Sequence, residues 1–160
     1  MKATLKTLKF PYGSAAVFIA LLLMCSQSAR AQAESVETQT AIFAGGCFWC
    51  VESDFEKLPG VLSAESGYTG GHVANPEYEQ VSGGKTGHIE SVRVTYDAAI
   101  ISYPALLDFF WHHIDPTVQN QQFCDKGNQY RSAIFYANDE QRNMIEASKA
   151  DILQSGAITN

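Results

Sequence analysis

Hydrophobic and polar positions change period several times along this chain, and each change marks an element. Thr40 to Ala44 is a short apolar run ending at Gly45-Gly46, the pattern of a buried central strand. From Cys47 to Leu58 the period is helical. Val51, Phe55 and Leu58 fall on one side, Glu52, Asp54, Glu56 and Lys57 on the other, and Pro59-Gly60 supplies the stop. Val61 to Tyr68 reads as a strand running into Thr69-Gly70-Gly71. The glycine-, proline- and polar-rich stretch from His72 to Gly87 is a long connection, a type that is usually functional or disordered. His88 to Tyr96 alternates, with Glu90, Val92, Val94 and Tyr96 on one strand face and Ser91, Arg93 and Thr95 on the other. A carboxylate therefore sits on the apolar face.

Ser102 caps a helix with Pro104 in its first turn, and Tyr103, Leu106, Leu107, Phe110, Trp111 and Ile114 recur at three-four spacing until Pro116 ends it. That stripe reads as core. A polar loop without hydrophobic period follows to Tyr130, then an apolar strand from Ser132 to Tyr136. Asn138 or Asp139 caps a last helix that runs through Gln154 and closes at Gly156, and Ala157 to Asn160 looks like the start of another strand. The order β-α-β-β-α-β-α, with a further β beginning, mixes hairpins and crossovers. It predicts an α+β two-layer sandwich of ferredoxin-like arrangement, a mixed sheet with helices on one face. No internal repeat or second domain interrupts it.

Composition agrees with a globular chain: of 160 residues 46% are hydrophobic and 18% charged, and the net charge is -6. No Lys/Arg cluster follows the first ten residues, which argues against a nucleic-acid surface. The N-terminus alters the outline. Lys2, Lys6 and Lys9 precede an apolar stretch from Ala15 to Met24 that is too short to span a bilayer, and Ala29-Arg30-Ala31 supplies a small-x-small cleavage site. Residues 1–31 are expected to be a secretory signal peptide, with cleavage after Ala31 or, alternatively, Ala33. Cys25 raises lipidation as an alternative, but Met24 is larger than the residue such signals carry. Residues 32–39 are expected to be a flexible leader and residues 40–160 the domain. The expected location is periplasmic or secreted, without stable membrane association after cleavage, and the expected state is a monomer.

With Cys25 removed, Cys47, Cys50 and Cys124 remain, an odd number in an oxidising compartment. At least one thiol with its own chemistry is expected. Cys47-Phe48-Trp49-Cys50 follows Gly45-Gly46, so Cys47 meets the unpaired N–H groups and positive dipole of a helix N-terminus, which favour thiolate, the nucleophilic form. Cys50 lies three residues on, on the same helix face, in position for a disulfide. A purely structural disulfide or half of a zinc site are the alternatives, the latter without a second ligand pair at metal spacing. Glu90 on an apolar face is disfavoured as an anion and suits a proton donor; the alternative is an edge glutamate paired with Arg93, which points to the other face. Tyr78, Asp125 and Tyr130 lie in the two polar loops, where ligand-binding residues are expected. His72, His88, His112 and His113 show no metal or Cys-His spacing, and no metal or cofactor is expected. Phe48 and Trp49 are either core or an apolar pocket beside the thiol.

Taken together, Ala44-Gly45-Gly46-Cys47-Phe48-Trp49, Ser66-Gly67-Tyr68-Thr69-Gly70-Gly71, Asn75-Pro76-Glu77-Tyr78, Thr86-Gly87-His88-Ile89-Glu90-Ser91-Val92 and Asp125-Lys126-Gly127-Asn128-Gln129-Tyr130-Arg131-Ser132 resemble the A class of peptide methionine sulfoxide reductases, from about Thr40 to the end of the chain. The resemblance implies that Cys47 attacks the sulfur of a methionine (S)-sulfoxide, free or in proteins. It also implies that Phe48 and Trp49 receive the S-methyl group, that Glu90, helped by Tyr78 and Tyr130, serves the sulfoxide oxygen, and that Asp125 is a further site residue. A cysteine sulfenic acid, an intramolecular disulfide and a thioredoxin-like reductant complete the implied cycle. Many members carry glycine where Cys50 stands and keep recycling cysteines in a C-terminal tail. Here Cys50 or Cys124 must serve, and helix spacing favours Cys50. Ile114 replaces a histidine that many members have, and the chain stops where members continue, so a shortened C-terminus is expected. A thiol-disulfide oxidoreductase and an inactive binding remnant are the competing readings.

Overall fold

The computed structural model describes residues 37–156. The expected signal peptide, Cys25, most of the expected leader and the strand beginning expected at Ala157 lie outside the described residues. Within them, β1 (Thr38–Ala44) starts two residues inside the segment read as leader. Ala41 and Phe43 of β1 stand opposite Val94 and Val92 of β3 (Ile89–Asp97), while Ala64 of β2 (Val61–Thr69) meets Val94 from the other side. These side chains share one face because alternate residues of a strand do, and all of them are buried.

The four-stranded sheet has the order β2-β3-β1-β6, where β6 is Ala133–Phe135. The α+β class and the ferredoxin-like order are as expected, but the mixed sheet is corrected: β1 with β3, β1 with β6 and β2 with β3 all pair antiparallel. The reason is topological. Each helical crossover returns to a strand one place further than its neighbour, so parallel strands lie two apart and every adjacent pair runs antiparallel.

Both main helices cover the same face. The Phe43 ring lies 4.8 Å from Phe55 at the end of α1 (Phe48–Phe55), and 5.1 Å from Phe110 and 6.4 Å from Tyr103 of α3 (Tyr103–His112). Ser102 caps α3, its Oγ accepting from the Ala105 amide at 3.3 Å, as the sequence predicts. The helix stops at His112 rather than near Pro116, and the His112 and His113 rings turn their Nδ1 to the Asp108 and Phe109 carbonyls, each at 2.7 Å. Those contacts satisfy C-terminal carbonyls that a continuing helix would have used. Ile114 stays buried although it lies beyond the helix. The opposite sheet face carries the Arg93–Glu65 pair, which stands across β2 and β3.

The last helix, α4 (Asp139–Gln154), begins at Asn138, whose side chain accepts from the Gln141 amide at 2.8 Å. Gln141 in turn donates to the Thr40 carbonyl at 2.8 Å, tying α4 to β1, and Trp111 Nε1 donates to Ser148 Oγ at 3.1 Å, tying it to α3. Neither polar loop is structureless. The first contains α2 (Tyr78–Ser82), and the second contains the hairpin of β4 (Gln121–Gln122) with β5 (Asp125–Lys126), followed by a 3-10 turn, Asn128–Tyr130. Gln122 anchors the second loop. It is fully buried, accepts from the Asp115 amide at 3.0 Å, and donates to the Asp115 carbonyl at 2.7 Å and to Ser132 Oγ at 2.6 Å.

Candidate active site

The turn between β1 and α1 is built for close approach. Gly46 has φ +96, and a Cβ there would stand 2.6 Å from Gln122 Cβ, so both the backbone angle and the space require glycine. That turn delivers Cys47 to the N-cap of α1. The next amide, Phe48 N–H, is one of the donors an α-helix leaves without an internal partner, and it donates to Glu90 Oε2 at 3.1 Å. Glu90 is 2% exposed on the core face of β3, where the alternation placed it. Burial pushes its carboxyl up, the Asp125 charge pushes the same way, and the Phe48 N–H opposes them.

Aromatic side chains wall the Glu90 side of Cys47. Phe48 is buried, with its ring 5.3 Å from Trp49, 5.5 Å from Tyr68 and 6.5 Å from Tyr78. Trp49 is 62% exposed and stacks on Tyr78 at 6.0 Å, so the outer wall of the site is open to solvent. Tyr130 reaches the same space from the 3-10 turn. Burial raises its phenol, as do the charges of Glu90, Tyr78 and Asp125, and interaction with the neighbouring Gln129 amide pulls it down. Tyr68 belongs to this group although the motifs did not single it out as a site residue. It stands directly opposite Glu90 in the β2–β3 register, and burial followed by the Glu90 charge raises its phenol. The available signal was pairing across the hairpin, which one strand's alternation does not display.

A cavity of about 350 Å³ opens on the other side of Cys47 and is lined by Cys50, Cys124, Asp54, Asp125 and Phe123 among others. All three described thiols are free and border it. Cys50 is exposed, and its thiol is pushed up first by a hydrogen bond with Cys47, then by burial and by negative charge at Cys47, Asp125 and Asp54. Cys50 follows Cys47 by three residues at the start of α1, whereas Cys124 reaches the cavity from the turn between β4 and β5. Phe123 beside it holds φ 49, an angle that strains a bulky residue. Among the described residues no three His, Cys, Asp or Glu side chains cluster closely enough to hold a metal ion. His88 instead fixes a loop, accepting from the Gly71 amide at 3.3 Å through Nδ1 and meeting the Val73 carbonyl at 2.8 Å through Nε2. The arrangement offers a nucleophile, a proton donor a residue away, phenols to bind a polar oxygen, an aromatic wall for an apolar group, and a second thiol.

The peptide methionine sulfoxide reductase family model matches residues 39–160. The peptide methionine sulfoxide reductase MsrA of Limosilactobacillus reuteri is 56% identical over 117 residues, 73% of this chain and 67% of its own length. Among solved structures, reduced Mxr1 from Saccharomyces cerevisiae superposes with a TM-score of 0.70 at 29% identity, over 76% of this chain and 72% of that one. Mxr1 in complex with Trx2 superposes with a TM-score of 0.55 at 20% identity, over 76% and 70%, a likeness of fold. The chain spans about two-thirds of the length of the curated relatives it matches.

Proposed function

The chain belongs to the peptide methionine sulfoxide reductase family, and from that premise we propose that it reduces methionine (S)-sulfoxide, free or in proteins, with Cys47 as the attacking thiol. The observation that carries this reading is the buried Glu90 carboxyl held 3.1 Å from the Phe48 amide, at the helix N-terminus that Cys47 caps. Cys47 sulfur forms a bond to the sulfoxide sulfur, and the S–O electron pair moves onto oxygen. Glu90 gives that oxygen its proton, while Tyr78 and Tyr130 donate hydrogen bonds to it as charge develops. Oxygen then passes to Cys47 as methionine leaves, so that one thiol is oxidised to a sulfenic acid and one sulfoxide is reduced. Phe48 and Trp49 hold the S-methyl group, and the charge of Asp125 helps Glu90 keep its proton in the resting site.

Cys50 next attacks the sulfenic sulfur of Cys47, a disulfide forms and water departs. The three-residue spacing of Cys47 and Cys50 at the start of α1 supports Cys50 over Cys124 in this step. A thioredoxin-like protein then restores the dithiol by exchange, a role supported by the existence of a Mxr1 complex with Trx2. The charged, apolar and small-x-small segments of residues 1–31 support export to the periplasm or beyond; N-terminal sequencing of the exported chain is expected to begin at Gln32. Mass spectrometry after one turnover without reductant is expected to find a Cys47–Cys50 disulfide. A Cys47–Cys124 linkage would reassign the recycling thiol, and turnover by C47S would overturn the mechanism.

A further inference from the structure

The two tyrosines given to the sulfoxide oxygen arrive from separate polar loops, and one buried side chain joins those loops. Gln129 is 6% exposed, unusual for a residue type that normally faces water. Its Nε2 donates at 3.2 Å to the carbonyl of Ser82, the last residue of α2, the helix that begins with Tyr78. Tyr130 follows Gln129 directly in the 3-10 turn, and the same amide favours the ionised form of the Tyr130 phenol. The surrounding backbone is shaped to admit this amide. Gly127 has φ +143, and a Cβ there would lie 2.5 Å from Gln129 Oε1 and 2.7 Å from Nε2. An apolar side chain of the same length would fill the space but leave the Ser82 carbonyl without this donor.

We propose that Gln129 is a positioning residue of the reductase site, tying α2 to the 3-10 turn and thereby setting where Tyr78 and Tyr130 converge on the sulfoxide oxygen. This rests on the reductase reading and extends it to a residue that touches no reacting atom. Two hydroxyls on independent loops can converge on one oxygen only if the loops keep their spacing, and a displacement of about 1 Å can lower a rate about 10²-fold.

Q129M keeps the length of the side chain and removes the amide. With dithiothreitol as reductant it is expected to lower kcat/KM for methionine sulfoxide about tenfold or more. In a Y78F/Y130F background the same change is expected to cost less than about twofold, because the effect is exerted through those two hydroxyls. Trp49 stacks on Tyr78, so release of α2 should alter Trp49 fluorescence in Q129M and leave it unchanged in Y130F. Should Q129M fail to fold, Q129A, which removes the amide and leaves the Gly127 backbone undisturbed, runs the same cycle. Losses that multiply when Q129M is added to Y78F/Y130F, or a Q129M rate within about twofold of the parent, overturn the inference and leave the reductase reading intact. A Y130F rate equal to the parent's removes the role of Tyr130 and the inference with it, and sulfoxide reduction by C47S would sink the reductase reading itself.

Discussion

Cys47 and Glu90 ride on β1, α1 and β3, where consecutive apolar side chains are buried against one another and the position of each backbone is over-determined. Tyr78, Asp125 and Tyr130 ride on two loops with little apolar burial, held instead by Gln122, Gln129 and a few backbone bonds. The proposed nucleophile and proton donor are thus mounted on a stiff support, while the tyrosines proposed to bind the oxygen, and Asp125, depend on a small number of buried amides. Hydrophobic packing spreads a perturbation over many contacts. A buried amide concentrates it in two or three bonds, each of which leaves an unsatisfied partner when lost.

The sharpest blow to the stiff half is chemical. E90Q is expected to lower kcat/KM for sulfoxide reduction by about 10²- to 10⁴-fold while sparing dithiol exchange at Cys47 and Cys50; no change in either activity would favour a simple oxidoreductase. Burial raises the Glu90 carboxyl above its ordinary range, so the donor form persists to higher pH than in free glutamate and activity should decline as pH climbs through the raised value. The stability contribution has the same sign. It is full below the ordinary carboxylate range and is lost as pH rises through the raised value, so E90Q should flatten both the activity and the stability profiles.

F43A removes the ring that Phe55, Tyr103 and Phe110 pack around and is expected to cost about 3–5 kcal/mol of unfolding free energy in urea titration. In the loop half, Q122M leaves the Asp115 amide and carbonyl without their partner and should cost less, about 1–3 kcal/mol. Its activity should nevertheless fall further than that of an equally destabilised core variant, because the hairpin carries Asp125 and Cys124. Comparable activity in two variants matched for stability would erase the distinction between the halves. R93A breaks only the exposed pair with Glu65 on the open sheet face and is expected to change stability by under about 1 kcal/mol and activity not at all.

Periodicity alone placed Cys47 at a helix start and Glu90 on the buried face of a strand, because both positions follow from the geometry of one element and its nearest neighbours in the chain. The cap residues Ser102 and Asn138 were legible for the same reason. Strand order was legible only as far as the alternation of hairpin and crossover, and the antiparallel pairing of every neighbour emerged from how far each crossover travels. Tyr68 opposite Glu90 and the amide clamps at Gln122 and Gln129 belong to tertiary structure. Side-chain hydrogen bonds to distant backbone have no period and no fixed spacing, so nothing in the linear order of residues marks them until the chain has closed on itself.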